Sequence, residues 1–357
     1  MKSAKENFSF AVAASFARHF NFMKKSKLIV IAFLAAFSIF STGAQPTTPA
    51  ANNGRKVEKP INFVLTKSDP LVGDWQGDGG VVAQVFTTAD GKYHANLLTA
   101  FDTGSNVVAV LDGTSSADGI AFNGGGWSGG IKNSHFTGGN GDKKFALQHI
   151  VRHSPTEGAK PPEGAVVLFD GRNLDAWAKK AGQSWLTEDG PAKWKLVDGA
   201  MEIVPGTDCI ITHKKFGDCH LHLEFRNICS PTKSAVFLET RYEVNINESY
   251  GKLTGTTSGG LDNTSQNVPP RVRPSLPPLS WQTFDIDFTA PRFDANDNMT
   301  AKAKITVLLN GVKLCDQKEL DPPFGAAGRL GEAPTGPLML QDHTTPIQFR
   351  NIWLVEK

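Results

Sequence analysis

The apolar residues of this chain recur at every second position, and that period dictates the class of fold. In His220–Arg226, Leu221, Leu223 and Phe225 take one parity, while His220, His222, Glu224 and Arg226 take the other. The segment Ala235–Asn247 repeats the pattern. Val236, Leu238, Tyr242, Val244 and Ile246 form one set, interrupted by Thr240; Phe237, Glu239, Arg241, Glu243, Asn245 and Asn247 form the other. A period of two sends alternate side chains to opposite faces of a pleated strand, one face for a core and one for solvent or a cleft. Residues 81–86, 93–97, 107–111, 145–151, 193–197, 283–288 and 305–309 have the same strand character. Asp90-Gly91, Asp112-Gly113, Asp118-Gly119 and Asn310-Gly311 supply turns between them. Long amphipathic helical patterns are scarce, and 35 glycines and 21 prolines punctuate the chain. The expectation is an all-β protein.

The organisation along the chain follows from composition. Residues 1–44 read as an export signal with an upstream extension: Lys24, Lys25 and Lys27 precede the apolar run Leu28–Phe40, and Thr42-Gly43-Ala44 offers small residues for cleavage. The run is shorter than the about 20 residues of a membrane span. The first cysteine is Cys209, so no lipid anchor is expected near the cleavage site. A secreted, periplasmic or cell-surface location follows. Residues 45–60 read as a flexible tether, 61–152 as a small β-meander or barrel, 153–165 as a Pro-rich linker, and 166–357 as a second β-module. Side chains of 37 Lys and Arg against 35 Asp and Glu leave no basic surface interleaved with aromatics, which argues against a nucleic-acid partner. Four cysteines in an exported chain permit disulfides; they form no Cys-x-x-Cys pair, so a structural zinc site is not expected, and buried free thiols are expected for at least two of them. The loop 252–280, rich in Gly, Ser and Thr and then in Pro, is expected to line a site, with 321–337 as a second long connection.

Several motifs of the second module stand together. They are Val167-Leu168-Phe169-Asp170-Gly171, Leu174-Asp175-Ala176-Trp177, Phe216-Gly217-Asp218-Cys219, Leu221–Phe225, Ser234–Asn245, Trp281–Asp285, Gly336–His343 and Ile347–Leu354. Together they resemble the 3-keto-disaccharide hydrolase family of exported bacterial proteins, with Arg241, Tyr242 and Glu243 matching its central strand. The resemblance implies a concanavalin-like jelly-roll sandwich, here preceded by a small antiparallel β-module. It also implies cleavage of 3-keto-glycosides or disaccharides by C2 proton abstraction, elimination and hydration, with a sugar 3-dehydrogenase upstream to supply the ketone. Ala235, Glu239 and Asn245 depart from the family's Gly, Gln and Gln, and Gly259-Gly260-Leu261-Asp262 departs from its Gly-Gly-Leu-Tyr.

Such chemistry needs a base, a donor for enolate charge and an acid for the leaving group. Glu243 is the leading base, and Asp342 and His343, side by side where an apolar strand ends, are the acid or shuttle. Arg241, Glu239, Asn245, Glu224 and Gln341 are expected to bind substrate. His222 and Glu224 are expected to line the same cleft and are the pair for a divalent metal, the one cofactor alternative; two solvated histidines at 220 and 222 are the default. The rival reading is a non-catalytic carbohydrate-binding jelly roll using Trp177, Trp185, Trp194 or Trp281. No Gly-x-Ser-x-Gly elbow is present for a serine nucleophile.

Overall fold

Between residues 73 and 150 an antiparallel sheet closes on itself. The computed structural model describes residues 60–88, 90–101, 105–182, 184–253, 257–261, 274–323 and 327–357. The expected signal, and the expected tether save Pro60, lie outside them. So do residues 262–273 of the long loop. After a short strand β1 (Val64–Leu65) come the barrel strands β2 (Gly73–Asp78), β3 (Val82–Thr87), β4 (Tyr93–Leu98) and β5 (Val107–Ser116). They continue as β6 (Gly119–Gly124), β7 (Trp127–Lys132), β8 (His135–Asn140) and β9 (Lys143–Ile150), and β9 pairs with β2. Alternation fills the interior with Trp75, Ala83, Val85, Ala95, Leu97, Leu111, Phe122, Trp127, Phe136, Phe145 and Leu147. Trp75 and Trp127 are therefore core. β5 runs straight through Asp112-Gly113, where the sequence suggested a turn. A side chain at Gly113 would meet Tyr93 and the Phe122 ring at 2.8 Å, so glycine serves close packing there.

The rest of the described chain forms two further large sheets and takes part in two small two-stranded ones. Its strands are β10 (Val166–Phe169), β11 (Trp177–Ala181), β12 (Ser184–Pro191), β13 (Lys195–Val197), β14 (Ala200–Glu202) and β15 (Ile210–Phe216). Then come β16 (Cys219–Asn227), β17 (Cys229–Ser230), β18 (Lys233–Leu238), β19 (Tyr242–Asn247) and β20 (Gln282–Thr289). β21 (Arg292–Phe293), β22 (Met299–Ala301), β23 (Lys304–Leu309), β24 (Val312–Glu319), β25 (Gly336–Leu340) and β26 (Ile347–Glu356) complete the set. One sheet has eight strands, β13-β14-β26-β16-β20-β23-β24 with β10 also on β26, and the other six, β12-β11-β15-β25-β18-β19. The chain crosses repeatedly between them, for example from β15 to β16 and from β25 to β26. That is the jelly-roll sandwich expected from the sequence, with a small barrel before it. Leu221, Leu223, Phe225, Phe284, Phe349 and Leu354 from one sheet meet Val236, Leu238, Tyr242, Val244, Ile246 and Leu340 from the other in a single core.

One expected strand is two. The run Ala235–Asn247 folds back on itself as β18 and β19, with Glu239 and Thr240 at φ +53° and +60° and the Arg241 N–H donating to the Leu238 carbonyl. Leu238 faces Tyr242 across the ladder. Four positions separate them, an even number, so the alternation reads through the turn unbroken. No Gly, Asn, Asp or Pro marks it.

Candidate active site

The outer face of the six-stranded sheet carries the candidate site. Because Val236, Leu238, Val244 and Leu340 point into the core, their neighbours Ala235, Phe237, Met339, Glu243 and Asn245 point out. Ala235, Phe237 and Met339 join Ile211 and Cys209 in a second, smaller apolar cluster, and Trp185 from β12 packs on it. The Trp185 and Phe237 rings meet edge to face, with centroids 5.5 Å apart. Phe237 is only 2% exposed although it points away from the main core, so this apolar floor is covered rather than open.

Polar groups border the floor on the β19 side. Glu243 stands opposite Phe237, and Asn245 opposite Ala235. The Gln341 N–H donates to the Ala235 carbonyl, continuing β25 by one residue on that row. Glu243 and Gln341 are half-buried, and the Gln341 Oε1 has no hydrogen-bond partner. A carboxylate and two amide side chains thus share one face with an aromatic floor. Lys180 marks the far flank, 5% exposed, its Nζ 3.0 Å from Asp208 and 2.6 Å from the Gly182 carbonyl. Four strand spacings separate its strand from β19, roughly 19 Å, so it bounds the cleft and does not reach Glu243. Sequence reasoning missed Lys180 and Asp208; the signal was the parity of Lys180, three residues after Trp177.

The remaining expected residues are placed elsewhere. Asp342 spends its carboxylate on the backbone: Oδ2 accepts from Gly206 (2.8 Å) and Asp208 (3.1 Å), and Oδ1 from Thr344 (2.8 Å). Burial raises its pKa above the usual carboxylate value, against the pull of those N–H groups. His343 follows it, half-buried, beyond the end of β25. Arg241 is 3% exposed and lies in the hairpin turn, its Nε donating to the Gly331 carbonyl and its Nη1 to that of Glu239. Glu239 is buried in the same turn. Neither of its carboxylate oxygens has a hydrogen-bond partner, and burial lifts its pKa to about 8 against the opposing charge of Arg241. The turn therefore removes both side chains from the row that alternation assigned them.

His222 and Glu224 point outward from the other sheet, so the sandwich stands between them and Glu243. Both are fully buried beneath residues 154–159. His222 Nδ1 lies 2.7 Å from Asp285 and its ring stacks on Trp353. Glu224 accepts from the Gly158 N–H, Arg350 and Asn351 at 2.6, 2.6 and 2.8 Å. Burial opposes charge on both, yet the hydrogen bonds outweigh it. Those from His222, Asn351, Gly158 and Arg350 hold Glu224 down at about 2, and those to Asp285 and Glu224 raise His222. The expectations of one shared cleft and of a solvated His222 are thus corrected. The pair also does not fit a metal, because its donor atoms are already engaged. Among the described residues no group of three His, Cys, Asp or Glu side chains stands where it could hold a metal ion. Cys209, Cys219 and Cys229 are buried free thiols, and Cys315 is a half-buried one.

A carboxylate and two amides thus edge a covered apolar floor on one jelly-roll face, in a domain whose family is carbohydrate-active and hydrolase-like. Residues 164–355 match the family model described as a 3-keto-alpha-glucoside-1,2-lyase-like domain, and the chain belongs to this 3-keto-disaccharide hydrolase family. Among solved structures, a proposed glycosyl hydrolase from Parabacteroides distasonis ATCC 8503 is similar at 29% identity, over 55% of this chain and 85% of that one, with a TM-score of 0.44. A second from the same organism has 19% identity over 55% and 94%, with a TM-score of 0.36. A mutant form of the family 43 glycoside hydrolase BlXynB of Bacillus licheniformis has 10% identity over 82% and 56%, with a TM-score of 0.28. No curated protein matches the chain. Among the described residues no helix is long and apolar enough to cross a membrane.

Proposed function

We propose that this protein is an exported enzyme that cleaves glycosides already oxidised to a ketone at C3. The 3-keto group acidifies the C2 hydrogen. Glu243 takes that proton, and the electron pair moves into the enolate. Collapse of the enolate breaks the C1–O bond, and the departing oxygen takes a proton from His343 or water. Water then adds across the resulting C1–C2 double bond, which completes a net hydrolysis. Gln341 offers its amide to sugar oxygens from the same face as Glu243, Asn245 secures the edge of that face, and the half-buried Trp185 supplies apolar surface for the ring. Arg241 and Asp342 hold the turns around the cleft. A dehydrogenase that oxidises C3 must act first.

One observation carries the reading: Glu243 stands at the edge of an apolar floor, flanked on that face by Asn245 and Gln341. The test is incubation with a 3-keto-disaccharide and with its unoxidised parent, followed by mass spectrometry. Release of sugar from the keto substrate alone is expected. Cleavage of both, or of neither, overturns it. The covered floor under Trp185 also suits a binding protein without turnover; glycan binding with no cleavage of either sugar would decide for that alternative.

A further inference from the structure

Three strands of the barrel place an unusual row on its outside. Asp74 pairs with Gln84, and Gln84 with Asn96, across β2, β3 and β4. Their neighbours Trp75, Ala83, Val85, Ala95 and Leu97 fill the barrel, so these three point outward. Outward-facing polar side chains are normally solvated. Here they are 0%, 6% and 1% exposed. What buries two of them is the chain that leaves β19. The Tyr250 hydroxyl donates to Asp74 Oδ1 at 3.0 Å, Arg152 holds Oδ2 at 2.8 Å, and Asn96 Nδ2 donates to the Gly251 carbonyl at 2.8 Å. Gly251 has φ +71°, and a side chain there would run into the Phe86 ring. A buried carboxylate is tolerated only when paired and hydrogen-bonded, so the arrangement is a specific joint.

The joint leads to the candidate cleft within a few residues. Ser249 Oγ accepts from the Ser258 N–H at 2.8 Å, and Ser258 Oγ donates to the Asn247 carbonyl at 2.9 Å. Next, the Gly259 N–H donates to the Asn245 carbonyl, and the Gly260 carbonyl accepts from the Asn245 N–H and Nδ2. Leu261 bridges to Val244. Residues 257–261 thus run along the free edge of β19, beside Asn245 and Glu243.

We propose that the barrel clamps the cleft: Asp74 and Asn96 fix Tyr250 and Gly251, which through Ser249 and Ser258 fix the edge segment beside Asn245 and Glu243. Asp74 and Tyr250 are positioning residues in this scheme. They touch no substrate. The proposal rests on the reading of this cleft as the catalytic site.

The test uses the full chain, with Tyr250→Phe, Asp74→Asn and a barrel control, Asp142→Asn, exposed in the turn before β9, whose far end at Ile150 is the one that faces Asp74. Backbone hydrogen exchange is read over 242–250 and 257–261, alongside kcat and KM on the 3-keto substrate. In both joint variants, exchange in these segments should accelerate about 10-fold while the barrel and sandwich cores keep their protection. Turnover should drop by about 10–100-fold in kcat with KM held within about twofold, as for a displaced but intact reacting group. The control should match the parent in every respect. Unchanged exchange would overturn the clamp, and so would faster exchange with unaltered kcat. Uniform loss of protection in both variants would assign the joint to stability alone and also overturn it. A parent protein with no turnover would sink the 3-keto reading instead, and exchange alone would then judge the clamp.

Discussion

Glu243 and Glu239 lie four residues apart and do opposite things with a carboxyl group. Glu243 is half-exposed on the outer face of the six-stranded sheet, as the base we propose has to be if it is to meet substrate. Replacing it with Gln keeps its shape and removes its basicity; steady-state kinetics should show a loss of about 10²–10⁴-fold with the urea midpoint unchanged. Glu239 is sealed in a turn with both oxygens unpartnered and a pKa of about 8. Its folded pKa lies above its unfolded value, so between about pH 4.5 and 8 the native state binds more protons than the unfolded one. Stability therefore falls as pH rises across that window, by an amount on the order of a few kcal/mol. Glu239→Gln removes the titration, so urea unfolding at pH 5 and pH 8 should show the variant gaining on the parent at the higher pH. An equal difference at both would mean that the carboxyl is already solvated. The sequence made the two residues look equivalent, because parity assigns a face and says nothing of a turn.

The hairpin between β18 and β19 shows where legibility ends at the scale of elements. The inward set Val236, Leu238, Tyr242, Val244 and Ile246 was readable, and so was the outward placing of Glu243 and Asn245, because side-chain parity survives any turn spanning an even number of positions. The chain reversal was not readable, since Glu239-Thr240-Arg241 carries none of the usual turn residues. Nor could one strand's pattern tell which of two sheets it joins. That is why His222 and Glu224 were expected beside Glu243, when they hold down residues 154–159 behind the other sheet. Arg241 secures the turn: Arg241→Lys should cost about 1.5–3 kcal/mol in urea unfolding, since an ammonium cannot reproduce the guanidinium fork to two carbonyls. The contact over β16 and β26 is also charge-dependent. Glu224→Gln strips Arg350 of its buried partner and should cost about 3 kcal/mol at neutral pH. Because Glu224 is held down at about 2, its contribution is present above its unfolded pKa and is lost as pH falls toward 2. The parent and variant should therefore converge in strong acid.

At the scale of the molecule, barrel and sandwich are tied at more than one place: β1, just before the barrel, pairs with β17, and two further joints add to it. Residues 154–159 lie on the eight-stranded sheet through Thr283, Glu224, Arg350 and Asn351, and Tyr250 with Gly251 lies on the barrel. Calorimetry should accordingly show one thermal transition for the two folds; two resolved transitions would show that the joints carry little energy. The joint also has a hereditary side. The φ of +71° at Gly251 and the Phe86 ring over it both demand glycine there while the joint holds that conformation, and the tyrosine hydroxyl at 250 has a buried acceptor only while Asp74 is there. A descendant gene that shed the barrel would release both positions from constraint at once. Relatives lacking the barrel should therefore vary freely at 250 and 251, while those that keep it change these positions only together with 74 and 86.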